Sequence, residues 1–193
     1  MQEKAKVSLS ALEYQLVTDE SFILTKNGII QKVYSLFGRL IDDYNAYLQP
    51  QLLQVASPKI SKGENYKGLP YVMMDHPRIF STNDVLAIRS FFWWGKYFSC
   101  TLHVKGSYQQ QYQERIKQAI DQEPFHPLLI SDGADEWNHD IEQGYTSVQN
   151  MNAASWKNLP FLKLVNVHPL QQWETAAAFF STTCAMYAAL LQD

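Results

Sequence analysis

Three groups of residues have the types and spacing that chemistry could use. Asp75, His76 and Arg78 lie within four positions, Arg89 and His103 follow, and Asp132, Asp135, Glu136, His139 and Asp140 crowd one short segment. A carboxylate beside an imidazole could move protons, and a guanidinium could hold an anion through two parallel hydrogen bonds. The acidic segment has the ligand types of a hard-cation or mixed metal site.

Spacing weakens two of the three. Neighbours on an extended chain point to opposite faces, so Asp75 and His76 cannot act as a pair without help from elsewhere. Asp135 and His139 have the four-residue interval that aligns ligands on a helix, yet the segment matches neither the calcium loop nor the His-Glu-x-x-His signature. A solvated acidic turn is the simpler expectation, and no metal or other cofactor is indicated.

The third group requires strands to carry it. Tyr97 to Lys105 alternates cleanly, with Phe98, Cys100, Leu102 and Val104 on one face and Tyr97, Ser99, Thr101 and His103 on the other. Gly95-Lys96 supplies a tight hairpin to a preceding strand from Ala87 to Trp94. The run Phe91 to Trp94 is apolar on both faces and predicts a strand covered on both sides. Were Arg89, Phe91 and Trp93 to share the polar face, an aromatic-walled surface would gather Asp75, Arg89, Trp93, Tyr97, Thr101 and His103 as a ligand-binding set. A helix over 81–94, capped by Ser81, is the competing reading.

Other elements must hold that hairpin in place. A short helix should follow the Ser8/Ser10 caps, and a longer one should run from about Lys26 to Leu48, where apolar residues recur every three or four positions. Ser57 to Gly63 reads as a connecting loop. A strand from Tyr71 should stop near Asp75, because Pro77 lacks a ladder donor. A glutamine-rich helix should follow from Tyr108 to Gln122, then a turn at Pro124 and Pro127, short strands at 128–131 and 145–148, and a strand over 159–167. A helix from Leu170 to Gln192 should close the chain, with Pro169 at its start. The expected fold is therefore a single α+β domain over 1–193, an antiparallel β-sheet of about 4–6 strands packed against N-terminal, middle and C-terminal helices.

Composition narrows the partners. With a net charge of -3 and no basic cluster, the chain has no electrostatic footprint for nucleic acid. No run reaches the ~18 to 20 apolar residues that span a bilayer, and the N-terminus lacks a signal-peptide core, so no membrane partner is expected and the cytoplasm is the simplest location. The two cysteines, Cys100 and Cys184, suit buried apolar positions better than a disulfide framework. Isolated glycines build no phosphate loop, dinucleotide fingerprint or nucleophile elbow.

The leading expectation is a non-catalytic module that binds a small molecule or a protein partner through the aromatic hairpin. Its specific protein-binding form is a homodimer through Phe91, Trp93, Trp94 and Tyr97, since Trp and Tyr often anchor interfaces. The alternative is a small hydrolase that uses His103 or His76 as general base with Asp75, or a metal held by Asp135, His139 and Asp140.

Overall fold

The computed structural model describes residues 7–54, 57–120, 128–151, 155–156 and 158–192. In chain order they form α1 (Ala11–Thr18), α2 (Glu20–Tyr47), α3 (Pro50–Leu53), β1 (Lys59–Tyr66), β2 (Leu69–Phe80), β3 (Val85–Trp93), β4 (Tyr97–Lys105) and α4 (Ser107–Ile120). Then come β5 (Leu129–Ser131), β6 (Tyr145–Ser147), β7 (Leu162–Pro169) and, after a 3-10 turn over Leu170–Thr175, α5 (Ala176–Leu190). The seven strands make one sheet in the order β1-β2-β3-β4-β7-β5-β6, and every pairing is antiparallel. This is the expected α+β arrangement, with one strand more than the upper expectation.

Alternation on the central strands assigns the two faces. Leu86, Ile88 and Phe92 of β3, Phe98, Cys100 and Leu102 of β4, and Leu162 and Leu164 of β7 pack into the main core beneath α2, α4 and α5. Helix α2 supplies Ile30, Val33, Phe37, Leu40 and Tyr44, and α5 supplies Phe180, Cys184 and Tyr187. The spacing of three or four that predicted α2 is the stripe it buries. Phe180 sits edge-on to Phe37 at 5.3 Å and to Phe98 at 5.7 Å, joining both helices to the sheet.

Two tyrosine hydroxyls within this core find polar partners. The Tyr44 hydroxyl lies 2.7 Å from Ser90 Oγ, while the Tyr187 hydroxyl donates to the carbonyls of Cys100 at 3.2 Å and Leu164 at 3.3 Å, spanning β4 and β7. Replacing Tyr187 with Phe is expected to lower stability by about 1 kcal/mol, the usual net value of such a bond. Urea denaturation reads this directly, and an unchanged midpoint would show that the bridge contributes nothing.

Local signals explain the element ends. Ser10 and Glu13 form a reciprocal capping box at the start of α1. Asp84 accepts from the backbone and hydroxyl of Ser107 at 2.6 and 2.7 Å, which fixes the start of α4, and Gly106 turns there at φ +65 with no room for a Cβ beside Asn83.

Several boundaries differ from the sequence-based expectations. The segment read as a loop at 57–63 is largely β1, an edge strand that pairs with β2. Strand β2 does not stop at Asp75: a register shift between Asp75 and Arg78 carries the chain past Pro77, and pairing with β3 resumes through Phe80. Helix α2 begins six residues earlier than expected, capped by Asp19. Residues 85–93 are strand rather than the competing helix. Pro169 ends β7 instead of opening a helix, and α5 starts only at Ala176. The turn at Pro124 and Pro127 lies outside the described residues. Among the described residues no helix is long and apolar enough to cross a membrane.

Candidate functional site

The second face of the sheet is covered by a loop. Arg89 lies opposite Thr101, Phe91 opposite Ser99 and Trp93 opposite Tyr97, so the hairpin does present the polar and aromatic residues together. The chain between β5 and β6, residues 132–144, crosses over them as a strap.

Hydroxyl groups rising from the sheet hold the strap by its backbone. Tyr97 donates to the carbonyl of His139 at 2.9 Å and accepts from the amide of Ile141 at 3.0 Å. Tyr66 accepts from the amide of His139 at 2.7 Å. Lys163 of β7 donates to the carbonyl of Glu136 at 3.0 Å and to that of Asn138. Outside, Lys67 pairs with Asp140 at 2.7 Å.

Beneath the strap the charges are arranged as a chain of contacts. Arg89 grips Asp75 bidentately, Nε to Oδ1 at 2.6 Å and Nη2 to Oδ2 at 3.0 Å. Its Nη1 faces His139 Nε2 at 2.9 Å. A guanidinium can only donate, so His139 Nε2 accepts and the ring is neutral with its proton on Nδ1. Burial, then the charges of Lys163 and Arg89, hold His139 well below the ordinary histidine range. The same causes push His103 down to about 3. Burial and the neighbouring Arg89 bring Lys163 down to about 7, against the opposing pull of Asp135 and Glu136.

Glu136 reaches inward from the strap. One carboxylate oxygen accepts from Lys105 at 2.8 Å, and the other lies 3.5 Å from His103 Nε2. That separation is too long for a hydrogen bond, and with His103 neutral at pH 7 the contact is no ion pair. Both atoms are buried without a partner among the described residues. Phe80, Ala87, Arg89, Thr101, His139 and Lys163 close around His103, leaving a void of about 10 Å³, room for one water at most. Outside the strap a cleft of about 600 Å³ opens, walled by Tyr66, Lys67, Asp135, Trp137 and Asn138.

Of the residues expected to bind a ligand, Asp75, Arg89, Thr101 and His103 come together under the strap. Trp93 and Tyr97 lie further along the same face in a separate aromatic cluster with Phe91, Tyr66 and Tyr71. The hairpin aromatics form no surface patch: Phe91 and Trp93 are each 1% exposed and Tyr97 is buried too, under the strap and Tyr66. Trp94 is half-buried and packs toward Phe92 on the helix side.

The proposed catalytic pairs are not assembled. Asp75 is taken by Arg89, and His76 points to the helix side, with Nε2 2.7 Å from Asn45 Oδ1 and its ring stacked on Tyr44. Asp135, His139 and Asp140 diverge, toward the Trp137 amide, Arg89 and Lys67 respectively. Among the described residues no three His, Cys, Asp or Glu side chains could share a metal ion.

Sequence reasoning passed over Lys163 and placed Glu136 only among the possible metal ligands of the acidic segment, not against His103 and Lys105. A lysine inside the apolar run Phe161-Leu162-Lys163-Leu164-Val165 was the available signal, since an unpaired charge is rarely buried in a strand. No protein-family model, no curated protein and no solved structure matches the chain.

Proposed function

We propose that this protein is a non-catalytic binding module that takes a small carboxylate-bearing molecule beneath the 132–144 strap, on the face formed by Asp75, Arg89, Thr101 and His103. The supporting observation is the position of Glu136. The strap inserts its own carboxylate between Lys105 and His103 and satisfies only one of its oxygens. Glu136 then stands where a ligand's carboxylate would sit, and a ligand with better geometry would displace it while satisfying His103 Nε2. A buried polar atom left unpaired costs roughly 1–3 kcal/mol, which is the driving force available to that exchange.

The reading predicts that acetate, succinate or benzoate, titrated calorimetrically, binds the Glu136→Ala variant more tightly than the wild type. Changing Lys105 to Met in that variant should remove binding. Failure of all three carboxylates to bind Glu136→Ala would refute the reading. Equal affinity in the presence and absence of Lys105 would move the site elsewhere.

A further inference from the structure

The loudest unpartnered feature lies at the other end of the molecule. Of twelve large apolar side chains exposed among the described residues, nine lie between Val7 and Leu24. Helix α1 buries none of its residues, and the first buried residue of α2 is Ile30. The chain from Val7 to Thr25 therefore forms a helical arm, with Val17 at 70% and Leu24 at 64% exposure. Apolar groups face every side of it, as in a helix meant to be enclosed.

A complementary groove lies on the same helix. It has a volume of about 380 Å³ and runs between α2 and the start of α5, lined by Lys32, Ser35, Leu36, Arg39, Trp173 and Ala177, with Glu174 as its one acid. Charge and position both favour a match. The arm carries Glu13, Asp19 and Glu20 and no basic residue, whereas Lys32 and Arg39 have no ion-pair partner among the described residues. Leu24, Gly28, Gln31, Ser35 and Arg39 follow one another at intervals of three or four on one side of α2. A Cβ at Gly28 would meet nothing within 4 Å, leaving open space at the middle of that row.

We infer that a second copy of this chain docks there: two α2 helices cross antiparallel near Gly28, and the acidic, apolar arm of each copy lies in the basic groove of the other. Arm and groove are joined through α2, so a two-fold axis satisfies both at once and the assembly closes at two chains. The crossing brings Glu20 of one copy toward Arg39 of the other. An anionic membrane is the poorer occupant, because helices that lie on such surfaces are basic on their polar side.

Sedimentation of the full chain across a dilution series should give the mass of two chains. Leu24→Glu and Arg39→Glu should each give the mass of one, with circular dichroism and thermal midpoint otherwise retained, because neither side chain is buried. Combining Glu20→Arg with Arg39→Glu should restore the two-chain mass. A monomeric wild type, an Arg39→Glu variant that keeps the two-chain mass, or a charge-swapped pair that stays monomeric would each overturn the inference. Pelleting of a monomeric wild type with lipid vesicles would also do so, by assigning the arm to a membrane.

Discussion

Changing Asp75 to Ala is expected to remove roughly 3–5 kcal/mol of stability, the range found when one partner of a buried ion pair is deleted. Asp75 is the only carboxylate among the described residues in contact with Arg89, and it binds the guanidinium through both oxygens. Without it Arg89 is left among Lys163, His103 and a neutral His139, with its charge buried and uncompensated. The double replacement Asp75→Leu with Arg89→Met should recover most of the loss, because exchanging a buried pair for apolar residues of similar volume is often neutral or better. Urea unfolding of the single and the double variant beside the wild type tests this. A single variant that loses less than about 1 kcal/mol would mean that solvent reaches Arg89 and compensates its charge.

Mild acid should destabilise the protein above the pH range in which carboxylates titrate. His103 has a folded value near 3 against an ordinary 6.5. Between those limits the unfolded chain binds the proton that the folded one refuses, so stability falls as pH falls through that window. At about 1.4 kcal/mol per unit, His103 alone sets a ceiling of roughly 2 kcal/mol lost by pH 5 and roughly 5 near pH 3. His139 and His76 are depressed in the same direction, the first by burial and the cations Lys163 and Arg89, the second by burial. Lys163 has the same sign in a higher window, with stability gained as pH rises from about 7 toward 10.5. Urea midpoints at pH 7 and pH 5 check the effect: His103→Leu should reduce the difference, with His139 and His76 supplying the remainder, and an undiminished difference in that variant would show that His103 does not contribute.

How much could be read from the sequence depended on where each strand lies. Strand β4 was legible because Gly95 and Gly106 bracket it and because its two faces meet different surroundings, apolar core on one side and a polar strap on the other. Strand β1 was not, since Lys59-Ile60-Ser61-Lys62-Gly63-Glu64-Asn65-Tyr66 sits at an edge with no residue fully buried and so carries no alternation. Pro77 was a fair stop signal that the shifted register around it overrode. The separation of Asp75 from His76 across the sheet followed from backbone geometry alone. The rest of the site did not: Lys163 and Glu136 meet His103 and Lys105 only through tertiary folding, and the strap that brings Glu136 inward looks in sequence like any acidic turn. The same strap hides the aromatic hairpin whose bulk suggested an exposed interface.

The two ends of the sheet limit how copies of this chain can meet. Strand β1, at one edge, carries Lys59, Lys62 and Glu64 and departs from regular register after Gly63, while β6, at the other, is three residues long. Charged side chains, irregular pairing and brevity each discourage a further strand from adding to an edge. Extension of the sheet from molecule to molecule, the usual route to β-aggregates, is therefore blunted at both margins, and ordered association is left to the helical side.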